Sequence, residues 1–449
     1  MGKLFGTDGI RGVVNAGLDA TLAYQVGLAA AVVMAKEKGK SRPLVAIGKD
    51  TRVSSDLLEC ALIAGLCSAG ADVLRLGVVP TPAVAWITVD SGADAGIVIS
   101  ASHNPFEHNG IKVFNSQGYK LRDELENAIE EIVLSGQFPQ LKTGGELGRV
   151  IPGEDLSEKY LDHLASTIED DLDGMRVLVD CANGAASATA PGLFRRFPKL
   201  RADIIHAQPD GVNINNGCGS THLDDLKARV VEGEYQLGLA YDGDADRFLA
   251  VDEKGEDIDG DQIMAACARV LQREGKLNGS TMVGTVMSNL GLHRFAADNG
   301  MKLLCTPVGD RNVLEQMLEG DYVIGGEQSG HTIFRQYATT GDGELTSLQF
   351  LQVLHRAGCK ASELVADCKR YPQVLVNLPV ESKEKKEEIM ASQALKDAIA
   401  AKEQALAGAG RVLVRPSGTE ALLRVMVEAA TTEEAASCAE ELADVIKNL

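Results

Sequence analysis

The sequence predicts an α/β protein in which three related α/β units with mixed sheets precede a smaller α+β module. Three observations carry this prediction. The chain has 449 residues, too many for one compact core. A strand–loop–helix pattern starts at Leu44, Val177 and Met282, and this spacing favours separate domains over one large sheet. Beyond Pro372 the composition changes, because charged, Ala-rich helical stretches alternate with short apolar runs.

Short β-branched apolar runs are expected to be strands, and longer periodic stretches are expected to be helices. The main strands are predicted at 44–47, 73–76, 97–99, 111–114, 177–179, 237–240, 248–251, 282–286, 374–376, 412–414 and 422–427. Helices are predicted near 22–36, 55–69 and 433–447, with a helical region that ends at 406. Polar or Gly-rich joints near 143–146, 253–256 and 370–372 divide the chain into domains 1–150, 151–254, 255–369 and 370–449.

Charge and composition exclude several classes of protein. The formal net charge is −20, from 44 basic and 64 acidic side chains, so the surface repels nucleic acid and acidic membranes. No apolar run approaches the ~20 residues of a membrane span, and the N-terminal segment lacks a secretory apolar stretch. Nine cysteines without a C-x-x-C pair indicate reduced thiols and a cytoplasmic location. An anionic small ligand would require a locally basic pocket.

A Ser-rich loop after the strand at 97–99 is the first candidate site. Ser102 lies in the stretch SASHNP, with His103 beside it and Lys112 in the next strand. Enzymes often hold a reactive hydroxyl on such a turn, although an ordinary polar turn is the alternative. An acyl hydrolase is disfavoured, because Ser102 is not flanked by the glycines of a G-x-S-x-G elbow.

An acidic loop between two predicted strands is the second candidate site. Asp242, Asp244 and Asp246 precede Arg247. The spacing resembles an EF-hand, but Arg247 occupies the position that needs Gly and the flanks are strands, so an EF-hand is rejected. Three adjacent carboxylates repel one another unless a cation binds, and Mg²⁺ suits a site that also binds phosphate oxygen. A solvated acidic turn is the alternative.

Three further loops have residues suited to phosphates or sugars, and each has an ordinary polar turn as its alternative. The loop at 6–12 surrounds Arg11 with glycines, which suits a phosphate. In the loop at 325–331, Glu327, Ser329 and His331 alternate, so in an extended backbone they point the same way and suit vicinal sugar hydroxyls. The loop at 415–420 offers Arg415 with hydroxyls and backbone N–H groups.

The motifs FGTDGIRG, SASHNP, DGDADR, GEQSGH and RPSGTE, in this order along the whole chain, resemble those of the α-D-phosphohexomutase superfamily. GTDGIRG together with GEQSGH resembles its glucosamine branch. The resemblance implies four domains around a central cleft, the last of the TATA-binding-protein-like type. It also implies that phosphorylated Ser102 converts glucosamine 6-phosphate to glucosamine 1-phosphate through glucosamine 1,6-bisphosphate, for UDP-N-acetylglucosamine and cell-wall precursor synthesis. A homodimer is implied by the resemblance alone.

The resemblance also implies roles for individual residues. One Mg²⁺ per chain is bound by Ser102, Asp242, Asp244 and Asp246, where it stabilises the transferring charge. Lys112 and Arg247 lie beside the transferring group, and Lys112 is expected to be the better base because the pKa of arginine is too high. The remaining implied roles are phosphoserine contacts from His103 and Arg11, sugar contacts from Glu327, Ser329 and His331, and distal-phosphate contacts from Arg415, Ser417, Gly418 and Thr419.

Two alternative functions stay open. The same chemistry could act on glucose or mannose phosphates, or the acidic loop could belong to a non-catalytic divalent-cation-binding protein. Some phosphomannomutase-type members carry a histidine near the segment that here reads PVGDR. This chain has Asp310 and Arg311 there, so no histidine role is transferred, and both residues are expected only to line the cleft.

Overall fold

The computed structural model describes residues 4–6, 8–417 and 422–449. The described residues form two compact units. The first runs through Met287 and resumes at Met301–Ala366; the second comprises Ser288–Gly300 and Asp367–Leu449. None of the helices in these residues is long and apolar enough to cross a bilayer.

The first unit begins with a six-stranded mixed sheet in the order β1-β5-β4-β2-β3-β6, in which β5 runs antiparallel to both of its neighbours. Buried Ile and Val side chains of the strands pack against α1, α2 and α4. Full burial of each such side chain contributes about 1.5–3 kcal/mol. The elements are β1 Ile10–Val13, α1 Ala20–Lys38, β2 Leu44–Lys49, α2 Val53–Ser68, β3 Asp72–Val78, α3 Thr81–Asp90, β4 Ala95–Ile99, β5 His108–Asn115, α4 Asp123–Ser135 and β6 Val150–Pro152.

The same unit contains a five-stranded sheet in the order β11-β10-β9-β7-β8, with β7, β8 and β9 parallel. Every residue of β9 is buried, as expected of a central parallel strand covered on both faces. The elements are α5 Leu156–Ser166, β7 Arg176–Asp180, α6 Ala186–Phe194, β8 Arg201–Ile205, α7 Asp224–Glu232, β9 Leu237–Tyr241, β10 Phe248–Asp252 and β11 Asp257–Ile258.

The third sheet has the order β13-β12-β14-β15, with β15 antiparallel to β14. Its helix α9 groups with the second unit. The elements are α8 Gly260–Arg273, β12 Thr281–Thr285, α9 Leu290–Asp298, β13 Lys302–Thr306, α10 Asp310–Glu319, β14 Ile324–Gly326, β15 Thr332–Phe334, α11 Gly343–Ala357 and α12 Ala361–Leu364. Short 3-10 turns lie at Gly144–Glu146 and Asn278–Ser280.

The second unit contains a three-stranded antiparallel sheet, β16-β18-β17, packed against helices. Alternate residues of the central strand, Leu423, Val425 and Val427, are fully buried in one cluster with Leu442 of the last helix, which confirms an α+β module. Its further elements are β16 Gln373–Pro379, α13 Lys383–Ala391, α14 Gln393–Ala405, β17 Arg411–Pro416, β18 Leu422–Glu428 and α15 Thr432–Lys447. All nine cysteines of the chain are free, as expected.

The candidate residues of the first unit follow the carboxyl ends of parallel strands. Ser102 follows β4, the loop 242–247 follows β9, and Glu327 follows β14. In open α/β sheets this edge is where ligands bind, because the loops there converge and their backbone groups are free of the sheet. The fold therefore brings three loops, distant in sequence, to one place.

Candidate functional site

The hydroxyl of Ser102 lies directly against the acidic loop. Ser102 is 2 % exposed, and its Oγ donates a hydrogen bond to Asp242 Oδ2 at 2.5 Å. Its backbone has a positive φ of 51°, which is uncommon for a residue other than Gly and occurs where surrounding contacts impose it. The structure thus brings together the two loops that the sequence identified separately.

A buried arginine imposes this loop conformation. Arg52 follows β2, and its side chain is 0 % exposed. Its guanidinium pairs with Asp50 at 2.8 Å and donates to the carbonyl oxygens of Ser102 and Asn104 at 2.8 Å each and of His108 at 3.0 Å, and also to that of Pro105. Arg52 is not among the residues predicted from the sequence, although an Asp and an Arg two residues apart directly after a buried strand are a signal.

The second sheet also supports the Ser102 loop. Asn215 Nδ2 donates to the Ser102 carbonyl oxygen at 2.9 Å, so this oxygen accepts from both Arg52 and Asn215. A Cβ at Gly243 would lie 2.5 Å from the same oxygen. Only glycine therefore allows the acidic loop to approach this closely. Thr51 Oγ1, next to Arg52, donates to the Asn183 carbonyl oxygen at 2.6 Å, which joins the loops after β2 and β7.

The acidic loop has the composition and geometry of a divalent-cation site. One carboxylate oxygen each from Asp242, Asp244 and Asp246 lies within 4.8 Å of the others, and all three side chains are buried. Asp244 Oδ1 and Asp246 Oδ1 have no hydrogen-bond partner among the described residues. Burial and the negative charges of Asp246 and Asp244 raise the pKa of Asp242 well above its ordinary value. These oxygens fit a hard cation such as Mg²⁺, which would relieve the repulsion.

Lys112 lies 2.9 Å from Asp244, 3.2 Å from Asp8 and 3.8 Å from Asp246. Burial opposes its charge, but these three carboxylates together raise the pKa of Lys112 well above its ordinary value. A lysine that keeps its proton neutralises charge. These contacts make charge neutralisation one role of Lys112, and its role as the better base stays a prediction.

Two arginines lie close enough to His103, the neighbour of Ser102, to act on its charge. Arg247 Nε lies 3.9 Å from Asp246 Oδ1, and Arg11 pairs with Asp8. The Nε atoms of both arginines are buried without a hydrogen-bond partner among the described residues. Burial, with Arg247 and Arg11 nearby, lowers the pKa of His103 to about 4, so the imidazole is neutral at pH 7. Its Nδ1 lies 3.5 Å from Ser102 Oγ. These groups suit the binding of a phosphoryl group on Ser102.

A chain of alternating charges continues from Lys112 away from Ser102. Asp8 binds Lys120 Nζ at 2.5 Å, and Lys120 binds Asp310 at 2.6 Å. Burial of Asp8 acts against its negative charge, but the positive charges of Lys112, Lys120 and Arg11 hold the pKa of Asp8 well below its ordinary value. Neither Asp8 nor Lys120 was predicted from the sequence to have a role. Asp8 lies inside the motif that was noted for Arg11, so its acidic side chain was the available signal.

The predicted extended sugar loop is wrong in its backbone conformation. Residues 327–330 form a turn, closed by a bond from Gly330 N to the Glu327 carbonyl oxygen at 2.9 Å, with φ of 95° at Gly330. Glu327 accepts from Gly309 N at 3.1 Å and Ser329 is exposed, whereas His331 is buried 3.6 Å from Asp246. Gly341 N donates to His331 Nε2, so Nδ1–H faces Asp246. The three side chains therefore do not share one strand face.

Asp310 and Arg311 line a cavity of about 570 Å³ in the first unit, and their place in the cleft stays a prediction. Arg311 also pairs with Asp123 and donates to the Leu121 carbonyl oxygen at 2.7 Å. Tyr119 and Lys120 contribute to the same cavity, so its wall carries aromatic and basic groups.

The predicted distal-phosphate loop belongs to the second unit. Arg415 lies directly across from Arg424 in the β17–β18 pair, and burial with this like charge lowers the pKa of Arg415. Arg415 Nε has no hydrogen-bond partner among the described residues. Two adjacent cations favour an anion between them. Ser417 is buried, while Gly418 and Thr419 lie outside the described residues.

Comparisons with known proteins agree with this geometry. Four profiles of the phosphoglucomutase/phosphomannomutase family match, namely α/β/α domain I at 2–140, domain II at 158–255, domain III at 259–371 and the C-terminal domain at 375–445. Phosphoglucosamine mutase of Desulforamulus reducens is 50 % identical over 450 residues, 100 % of both chains. That of Moorella thermoacetica is 52 % identical over 436 residues, 97 % of both.

Two solved structures show the same fold. A phosphoglucomutase/phosphomannomutase family protein from Burkholderia thailandensis has a TM-score of 0.81 at 25 % identity, covering 99 % of this chain and 97 % of that one. An N-acetylphosphoglucosamine mutase of Aspergillus fumigatus, in complex with GlcNAc-6P and magnesium, has a TM-score of 0.70 at 18 % identity, covering 99 % and 95 %.

Proposed function

Because this chain belongs to the phosphoglucomutase/phosphomannomutase family of the α-D-phosphohexomutase superfamily, we propose that it interconverts glucosamine 6-phosphate and glucosamine 1-phosphate. Relatives about 50 % identical over the full chain carry the name phosphoglucosamine mutase. The observation that carries the proposal is the contact of Ser102 Oγ with Asp242, one of three buried carboxylates. This contact brings a nucleophile, the Ser102 hydroxyl, next to a cation site.

The proposed reaction has two phosphoryl transfers. In the first, the bond between phosphorus and Ser102 Oγ breaks, the sugar O1 forms a new bond to phosphorus, and the O1 proton ends on Ser102 Oγ. The product is glucosamine 1,6-bisphosphate, which turns around in the site. In the second transfer its O6–P bond breaks, Ser102 Oγ is phosphorylated again, and the hydroxyl proton of Ser102 ends on O6. The net change moves one phosphate and leaves the enzyme as it began.

Mg²⁺ fits the carboxylates of Asp242, Asp244 and Asp246 together with an oxygen on Ser102, and it supplies charge stabilisation for the transferring phosphoryl group. Asp242 orients the free Ser102 hydroxyl through their 2.5 Å hydrogen bond. Arg52 and Asn215 fix the main chain of Ser102, so the hydroxyl stays aimed at the substrate.

The basic groups bind and neutralise phosphate in this proposal. Arg247 and Arg11 offer their buried Nε donors to the phosphoryl oxygens, and Lys112 neutralises the carboxylates around them. Neutral His103 provides a nearby hydrogen-bonding group without adding charge. Substrate contacts are assigned to Glu327, Ser329 and His331 for sugar hydroxyls and to Arg415, Ser417, Gly418 and Thr419 for the distal phosphate.

We further propose four domains with the boundaries 1–150, 151–254, 255–369 and 370–449, a homodimer and a cytoplasmic location. The family's domain profiles and the four sheets support the domains, and the free thiols support the location. The homodimer rests on the resemblance to the family alone. Supply of UDP-N-acetylglucosamine for cell-wall precursors is the corresponding pathway role.

Parallel assays with the 6-phosphates of glucosamine, glucose and mannose test the substrate. Each is started with the matching 1,6-bisphosphate, and glucosamine 6-phosphate is expected to give the highest kcat/KM. A clear preference for glucose or mannose phosphate would refute the glucosamine assignment. Ser102→Ala should lose turnover and the phosphate detected by peptide mass mapping. Ser91→Ala, whose hydroxyl binds only its own helix, is the control and should keep both.

A further inference from the structure

A second cluster of metal-ligand side chains lies in the five-stranded sheet, apart from the acidic triad. It consists of Asp180, His206 and Cys218, whose Oδ, ring nitrogen and Sγ atoms lie within 4.8 Å of one another. Asp180 ends β7, His206 follows β8, and Cys218 lies in the loop before α7. Three separate chain segments therefore deliver one ligand atom each to a single point.

The donor set is that of a zinc-type metal and differs from the all-oxygen triad. A thiolate, an imidazole and a carboxylate are the protein ligands that Zn²⁺ prefers, whereas Mg²⁺ prefers oxygen alone. Asp180 and Cys218 are 0 % and 1 % exposed. His206 Nδ1 lies 3.0 Å from Asp180 Oδ2, and its side chain is 25 % exposed, which leaves a route for an ion and a water as the fourth ligand.

The surroundings of the cluster orient each ligand. His206 Nε2 lies 3.2 Å from Asp225 Oδ2, the carboxylate–histidine arrangement that turns the other ring nitrogen toward a metal. Asp180 accepts hydrogen bonds from Ala182 N at 2.8 Å and Gly219 N at 2.9 Å, as metal-binding carboxylates commonly do. These outer contacts come from a helix and two loops and are independent of the ligand set itself.

We propose that Asp180, His206 and Cys218 form a structural Zn²⁺ site with water at the fourth position. Residues near the site contact the Ser102 loop and its support. Asn215 Nδ2, three residues before Cys218, donates to the Ser102 carbonyl oxygen. The Asn183 carbonyl oxygen accepts from Thr51, the neighbour of Arg52, and Asn183 Nδ2 lies 3.8 Å from Cys218 Sγ. Bound zinc would therefore stabilise the segments that contain Asn183 and Asn215, and through them the Ser102 loop. The alternative occupant of this point is a proton, which would make His206 an imidazolium between Asp180 and Asp225.

Cobalt substitution tests the proposal in the full chain. Excess Mg²⁺ first fills the oxygen-ligand site, and Co²⁺ is then added. Cobalt bound to Cys218 gives a thiolate-to-metal charge-transfer absorption that oxygen ligands cannot give. The expected result is this band, with saturation at about one cobalt per chain and displacement by Zn²⁺.

Three variants identify the ligands. Cys218→Ser should abolish the band, while Cys267→Ser, which changes another buried cysteine, should keep it. His206→Asn should also abolish tight binding, and Asn tolerates the positive φ of 47° at this position. Asp225→Asn should weaken zinc binding by about 10–100-fold because it removes the carboxylate that orients the ring.

Absence of the band in the wild-type protein would overturn the proposal in favour of the imidazolium. The same conclusion would follow if His206→Asn and Asp225→Asn, both folded by circular dichroism, bound Zn²⁺ as tightly as the wild-type protein. If Cys218→Ser fails to fold, these two variants still decide the outcome.

Discussion

Replacing Arg52 by methionine should separate the role of loop positioning from that of the reacting groups. Arg52 touches neither the carboxylates of the acidic triad nor the Ser102 hydroxyl, but it makes five hydrogen bonds, one to Asp50 and four to carbonyl oxygens of the Ser102 loop. Charge-assisted hydrogen bonds contribute about 1.5–3 kcal/mol each. A plain sum would rival the ~5–15 kcal/mol stability of a whole domain, so the contributions cannot be additive.

The better guide is the cost of breaking one buried ion pair, about 3–5 kcal/mol, because Arg52→Met leaves Asp50 charged and buried. The first unit should lose about that much free energy of unfolding. Turnover of glucosamine 6-phosphate should fall on the order of 100-fold, since small displacements of a nucleophile have effects of that size. Urea unfolding followed by the fluorescence of Trp86, the one tryptophan, measures the first quantity, and steady-state kcat measures the second.

The control is Arg75→Met, which removes an arginine of β3 from the buried carboxylate of Glu59 in α2. Glu59 keeps its bond to Lys49 at 2.6 Å in that variant, and the Ser102 loop is not touched. This control should keep kcat. Arg52→Met with wild-type kcat, or with a loss equal to that of Arg75→Met, would refute the claim that Arg52 positions Ser102.

Three further predictions concern the metal site, the close approach of the loops and a buried acid. Asp242→Asn should raise the Tm of metal-free protein, because it removes a buried carboxylate whose pKa is raised by burial. It should also abolish the stabilisation that Mg²⁺ gives in thermal unfolding. Retained Mg²⁺ stabilisation would contradict the assignment of Asp242 as a ligand. Gly243→Ala should lower kcat on the order of 100-fold because its Cβ would meet the Ser102 carbonyl, whereas Gly145→Ala, with open space around it, should not change kcat. Burial and the charge of Asp342 raise the pKa of Glu344 from 4.5 to about 8, so its contribution to stability is complete below its unfolded pKa and is lost as pH rises through about 8. Between these two pH values, Glu344 should lower the free energy of unfolding by about 1.4 kcal/mol per pH unit. Glu344→Gln should remove this slope. If the slope of Tm against pH is unchanged in the variant, Glu344 is not its cause.

Much of the fold followed from local sequence signals. Buried strands such as 97–99 and 177–179 were predicted because β-branched runs between polar loops leave few alternatives. The structure extends most of them by one to three residues, since strand ends are set by neighbouring strands and not by local composition. The short strands β1 and β6 were not identified, because they depend on pairing partners far along the chain. The strand β11 was also missed, because its two residues are too few for a periodic pattern.

The site was predictable to a lesser extent. Ser102 and Asp242 lie in two motifs that stand out by composition. The resemblance to a family predicted that these motifs act together, and the structure has Ser102 and Asp242 in contact. Asn215 and Arg52 were missed because they hold the Ser102 loop through its backbone carbonyls, which carry no sequence signature. The local signal for Arg52 was its pairing with Asp50, two residues earlier. The extended backbone assumed for 327–331 was wrong because Gly330 adopts a positive φ and closes a turn, and periodicity alone cannot show this.

The way in which Ser102 is anchored has a consequence for the catalytic cycle. Its carbonyl oxygen accepts from Arg52 and Asn215, and its amide donates to Ser100 Oγ, so both main-chain groups are occupied by neighbours. The side chain alone is left to change. The serine and its phosphate ester can therefore share a single backbone, and each turnover exchanges a covalent group without remodelling the peptide that carries it.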